Sequence, residues 1–403
     1  MSTPLPMNIL IAPDSFKESL DAIGVCRAIQ EGFSQVYPEA NYTLLPLADG
    51  GEGTSEVLSY VLDGQWREID VHDPLMRAIT AKYLLTADAT AVIEIAEACG
   101  LHLLADHERN PLIASSYGVG EMILDAINQG AKQILIGLGG SATNDAGTGM
   151  LQALGVKILD ASGKLLPPGG ASLIHTHSID RTALHVLSDI KITVACDVTS
   201  PLCGSTGASH VFAPQKGATP EQVLSLDQAL SHFADVCQTQ SICADSCRVS
   251  AGAGAAGGLG FGLMAFCAAE LKSGFDTIAD AVALDKHLTT ANLAITGEGK
   301  LDSQTAMGKV ASGVARQARA HNVPVMAICG SVDRHYSLHS KPSASVCADS
   351  NAKAFAMLPF DVVVPSIQKL DSLDKVMAEA YSNVAHTAYQ LAVTLKIGQQ
   401  LNL

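Results

Sequence analysis

Short apolar runs alternate along this chain with longer stretches whose apolar residues recur every three or four positions. NILIA (8–12) is an apolar run halted by Pro13-Asp14, which predicts a buried strand. The spacing over 19–33 predicts an amphipathic helix, YTLLPL (42–47) a second strand and 54–62 a second helix. From 66 to 96 the runs shorten and alternate (WREIDV, ITAKYLLT, TAVIEIA), the mark of a mixed or antiparallel sheet. A strand–helix rhythm then returns. It comprises a helix (116–129), QILIGL (133–138), a helix, VKILD (156–160), IKITVACDV (190–198) and a polar helix (220–236). Toward the end LAIT (293–296), PVMAICG (324–330), KAFAMLP (353–359) and DVVVP (361–365) read as strands, and 371–396 as a closing helix.

The change of texture near 66 and the return near 290 set the domain organisation. With 403 residues, one simple core is too small an account. The expected arrangement is a Rossmann-like α/β domain from both chain ends, 1–65 and 288–403. The middle, 66–287, is inserted into it as a second α/β domain.

Composition refines this picture. Apolar residues make up 48%, charged residues 16% and aromatics 4%, as suits strands buried on both faces. A net charge of −15 with no basic stripe argues against nucleic acid, and an anionic ligand would need local lysines, arginines or a metal. Cys237, Cys243 and Cys247 form the one cysteine cluster, at spacings foreign to a zinc site, so the chain reads as reduced and cytoplasmic. The N-terminus lacks the basic start of a signal peptide. Residues 249–269 are uncharged and long enough to span a bilayer, but six glycines favour a buried helix entered through a loop, with no membrane partner.

The candidate chemistry sits in turns that follow apolar runs. PLADGGEGT (46–54) places Asp49 and Glu52 among Gly50, Gly51 and Gly53. GLGGSATNDAGTG (137–149) and ITGEGKLDSQT (295–305) repeat the combination of glycine and acid, the latter adding Lys300. Glycine lets a backbone approach a ligand closely, and a neighbouring carboxylate can hold a divalent cation or steer a proton. Asp197 ends a strand and is an acid of the same type, while Ser15 and Lys17 after the first strand suit a carboxylate or phosphate. His175 and His177 read as ordinary polar residues.

No Walker-type G-x-x-x-x-G-K-[ST] occurs. A dinucleotide fingerprint competes: Gly137, Gly139 and Ala142 follow a strand, and Asp160 ends the next one. Against it, Ser141, Thr143, Asn144 and Asp145 make the following segment polar, and an Asp there competes with pyrophosphate for the same amides. An NAD(P)-dependent oxidoreductase and a non-catalytic organic-acid or nucleotide sensor therefore remain as alternatives.

Eight segments together resemble the bacterial type-1 glycerate kinases. They are IAPDSFK (11–17), LADGGEGT (47–54), TAVIEIA with its following Gly-Leu (90–101), SSYGVGE (115–121), GLGGSATNDAGTGML (137–151), ACDVTSPLCG (195–204), GAGAAGGLG (252–260) and ITGEGKLDSQTAMGK (295–309). The departures are Glu18, Ala146 and Ala213 where the family usually has Gly, and an insertion-like VCADSN (346–351).

The resemblance implies two α/β domains with an interdomain cleft, and ATP-dependent phosphorylation of D-glycerate assisted by Mg2+, with the 2-hydroxyl favoured. The chain would be a monomer or homodimer. On that reading Asp197, Glu298 and Lys17 are catalytic, and Asp197, Glu298, Asp302 and Asp49 hold the metal. Asp14, Ser15, Lys17, Arg77, Asp49, Gly50 and Gly51 bind glycerate. Gly139, Gly140, Ser141, Asn144, Asp145, Gly257 and Gly297 approach the nucleotide.

Overall fold

The computed structural model describes residues 6–51, 53–302, 309–333, 360–369 and 371–401. Glu52, the end of the third turn (303–305), the KAFAMLP run and the VCADSN stretch lie outside the described residues. Contacts divide the chain into two compact units. The first comprises 1–49, 56–61 and 275–403, and the second 50–55 and 62–274.

The first unit is built on a five-stranded parallel sheet of Asn8–Ile11, Asn41–Leu44, Leu293–Leu301, Val325–Val332 and Val362–Pro365. Numbered by chain order these strands lie 2-1-3-4-5, so the layer built from both chain ends is doubly wound in the flavodoxin-like order. Helix Ala22–Ser34 is capped by Asp21, whose side chain accepts from the Gly24 amide at 2.6 Å. It buries Val25, Cys26, Ile29 and Phe33 in the core that also takes Val384 and Ala388 of helix Ala380–Gln400. Gly32 permits that helix pair, since a Cβ there would meet Ala385 O at 2.3 Å. The closing helix is two helices, Leu373–Ala378 and Ala380–Gln400, broken at Glu379.

The second unit carries a six-stranded mixed sheet. Gly64–His72, Ala78–Thr86 and Thr90–Glu94 pair antiparallel, then Thr90–Glu94, Gln133–Gly137, Lys191–Ala195 and Glu270–Lys272 run parallel. This is the mixed sheet that the short alternating runs predict. One strand departs from the expected rhythm: Lys157–Leu159 leaves the sheet and pairs antiparallel with Ser178–Asp180. The glycine-rich stretch forms helix Ala255–Cys267, with left-handed backbone at Ala256, Gly257 and Gly258. Among the described residues no helix is long and apolar enough to cross a membrane.

Candidate functional site

In a doubly wound sheet the strand order reverses between strands 1 and 3, and their carboxyl ends diverge to leave a crevice. Here those strands are Asn8–Ile11 and Leu293–Leu301. The backbone zips past the end of the first strand: Ala12 N donates to Ile295 O at 2.7 Å and Asp14 N to Gly297 O at 2.9 Å. The Thr296 hydroxyl adds a buried bond to Ala12 O. These bonds set Asp14 opposite Gly297 and Glu298 at the switch point.

A cavity of about 370 Å³ opens there, lined by Asp14, Ser15, Lys17, Glu298, Asp302 and Lys309 among others. Phe16 is buried in the core, which fixes the turn and leaves its neighbours Ser15 and Lys17 to line the cavity. Asp14 and Glu298 are only 9% and 5% exposed. Burial pushes the Asp14 carboxyl from its ordinary 3.8 up to about 7. The charge of Asp49 adds to the rise, and the Ser15 amide, Lys17 and Lys309 oppose it. The Ser15 amide donates to Asp14 Oδ1 at 2.7 Å.

Glu298 sits in a strand, where the sequence suggests a turn. Leu293–Leu301 runs through the whole GEGK segment and stays paired with Val325–Val332 as far as Leu301 and Val332. Glycine makes this possible by close approach, because a Cβ on Gly297 would lie 2.1 Å from Ile328 O and one on Gly330 would lie 2.3 Å from Gly299 O. Gly297 thus has a packing role, and Lys300 and Asp302 end the strand as an ion pair at 3.6 Å.

In the second unit the strand ends gather other expected residues. Gly50 has φ +82, and a Cβ there would lie 2.6 Å from the Ala195 methyl. Glu94, which the sequence reading passed over, accepts from the amides of Gly53 at 3.2 Å and Ser55 at 2.6 Å, at the start of helix Thr54–Val61. Its one sequence signal is an acid closing an apolar strand, the signal that marks Asp197. Asp197 accepts from the Gly274 amide at 2.8 Å.

The 137–149 segment is turned inward. Asp145 is wholly buried and accepts from Ser116 N and Oγ, both at 2.9 Å, and from the Gly147 and Gly149 amides at 3.1 and 3.2 Å. Those amides at the start of helix Thr148–Ala153 are already satisfied. Asn144 is equally buried and donates to Ser209 Oγ at 3.0 Å. Lys216, also missed from sequence, is buried beneath the loop and donates to Ser141 Oγ at 2.8 Å and Thr143 O at 2.7 Å. Burial lowers its ammonium to about 8. Gly140 has φ +65 and its carbonyl accepts from the Leu101 amide at 2.7 Å. Gly257 is required by packing, since a Cβ there would strike Thr143 O at 2.0 Å.

The dinucleotide alternative loses its geometry here. The neighbours of Gln133–Gly137 are Thr90–Glu94 and Lys191–Ala195, and Asp160 closes a local turn through Ser162 and Lys164. Arg77 forms ion pairs with Asp73 at 2.5 Å and Glu108 at 2.7 Å.

Among the described residues no three His, Cys, Asp or Glu side chains converge to hold a metal alone. Oxygen donors at the switch point still fit Mg2+, which takes one or two carboxylates and completes its shell with phosphate oxygens and water.

The model of the glycerate kinase family matches residues 9–396. The chain is 44% identical to a glycerate kinase of Haemophilus influenzae, covering 96% of this chain and 99% of that one. It is 43% identical to the glycerate 2-kinase of Escherichia coli, covering 98% and 99%. A crystal structure described as a glycerate kinase 2 from Salmonella typhimurium LT2 superposes with a TM-score of 0.86 at 44% identity, covering 98% of this chain and all of that one.

Proposed function

The chain belongs to the glycerate kinase family of phosphotransferases, and we propose that it transfers the terminal phosphoryl group of ATP, with Mg2+, to the 2-hydroxyl of D-glycerate. The observation that carries this reading is the switch-point cavity, where buried carboxyls and three lysines line one space. In-line phosphoryl transfer asks an enzyme for positioning and for neutralisation of the charge on the phosphoryl oxygens. Lys17, Lys300 and Lys309 supply positive charge, and Glu298 and Asp302 are the carboxylates that would hold the metal. Bound Mg2+ would supply further neutralisation of phosphate charge.

Asp14 is the group we assign to the hydroxyl proton. A carboxyl at about 7 is a far better proton acceptor than one at its ordinary 3.8, and it is still half ionised at neutral pH. Ser15 and Lys17 beside it suit the glycerate carboxylate. The 43% identity to a glycerate 2-kinase favours the 2-hydroxyl as acceptor.

Release of ADP on adding D-glycerate to the purified protein with Mg·ATP tests the reaction, and phosphorus NMR of the product tests the position. We expect a single monoester resonance coupled to the C2 proton. A resonance coupled to the C3 methylene protons would reassign the acceptor. A folded protein that binds ATP without turnover would favour a sensor.

A further inference from the structure

The switch-point cavity is not polar throughout. Besides the charged groups it is lined by Ile367, Leu373, Val376, Met377 and Ala380, from the end of the last strand and the two closing helices. Leu373 is 72% exposed and Ile367 38% exposed, although a chain this rich in apolar residues has a large core in which to bury them. A three-carbon hydroxy acid with three oxygen-bearing carbons has no surface to offer such a wall. Nor does it need about 370 Å³, a volume in the range of roughly 300–1,000 Å³ that encloses drug-sized ligands. A nucleotide has both ends: a flat apolar base and a polyanionic chain.

We propose that this cavity is the nucleotide site. The base lies against Ile367, Val376 and Met377, and the phosphates run toward Lys17 and Lys309. The inference rests on the ATP reading above and adds the placement. It moves the nucleotide away from the 137–149 loop, whose Gly147 and Gly149 amides at the helix start are taken by the Asp145 carboxylate and whose Asn144 amide is buried against Ser209 Oγ. Apolar walls with a few placed charges are the usual form of a cofactor pocket. The loop, with Lys216 beneath it, then serves as a rigid support of the second unit.

Photolabelling the whole protein with 8-azido-ATP and Mg2+, then mapping the modified peptides, tests the placement. We expect labelling within 366–383 that excess ATP suppresses. Suppressible labelling within 137–149 or 252–260, or none in 366–383, overturns the placement. A Val376→Asp variant gives the second readout. Its KM for ATP should rise at least about tenfold while its KM for glycerate stays within about twofold. A rise confined to the glycerate KM overturns the inference. ADP release by the wild type in the same preparation separates the two failures. If it persists while the label maps elsewhere, only the placement falls. If it is absent, the kinase reading falls and the placement with it.

Discussion

Asp14 ties the chemistry of one residue to the stability of the fold. Its carboxyl sits at about 7 in the folded chain and at 3.8 when unfolded. The folded state therefore holds a proton that the unfolded state has lost, between about pH 4 and pH 7. Wild-type stability from this group is full below 3.8 and is lost as pH rises through 7. An Asp14→Asn variant never charges, so its stability relative to the wild type should rise across that interval. Chemical denaturation at pH 4.5 and pH 8 measures the gap, and an equal gap at both values would show that the carboxyl is not shifted. The same variant should lose the rise in kcat/KM with pH near 7 that a base at Asp14 produces. Two other residues explain themselves through backbone geometry. Glu18 and Ala146, at which the family resemblance leads one to expect glycine, both have left-handed φ, +64 and +53. That conformation costs a side-chain-bearing residue roughly 1–2 kcal/mol, and glycine's extra unfolded freedom returns roughly 0.4–1. Glu18→Gly at this exposed turn should therefore stabilise the protein by about 0.5–1 kcal/mol in urea titration. Ala146 is buried, and the loss of its methyl offsets the gain. Ala213, at φ −67, has no such strain.

At the scale of elements, the third glycine segment changes meaning. Its composition reads as a turn, yet it is the far half of a strand in parallel register with Val325–Val332. Gly297 and Gly330 are there because the strands approach too closely for a Cβ. Gly297→Ala should cost about 1–3 kcal/mol through overpacking, read as a lower denaturation midpoint, with ligand affinity following stability. Unchanged stability with lost ATP binding would return Gly297 to the ligand. Elements with strong periodicity were legible from sequence: the helix Tyr117–Asn128, the strand Gln133–Gly137 and the helix Pro220–Thr239 all lie where the apolar spacing puts them. Partnership was not legible. Lys157–Leu159 has the composition of a sheet strand, but only contact decides that it joins a two-stranded ribbon. Glu94 and Asp197 carry one signal, an acid closing an apolar strand. One holds the start of a helix and the other accepts from the amide of Gly274.

For the whole molecule, each unit has its own buried core, and the parallel strands of each point their carboxyl ends at the residues singled out by the motifs. A net charge of −15 makes local positive charge a requirement for any anionic substrate, and the first unit places three lysines on one cavity. The order of apolar runs, the change of texture near 66 and the motif set determined by themselves that this is an α/β chain with an inserted mixed sheet, and the family to which it belongs. Those features are local in sequence, since a period of apolar residues or a glycine beside an acid is written in adjacent letters. Tertiary structure alone decided the strand order 2-1-3-4-5, which of several interchangeable carboxylates are buried together, and that Asn144 and Asp145 turn inward while Asp14 and Glu298 line a cavity. Strand order, burial and shifted proton affinity depend on what lies across space from a residue, and the distance from Asp14 to Glu298 along the chain carries no trace of it.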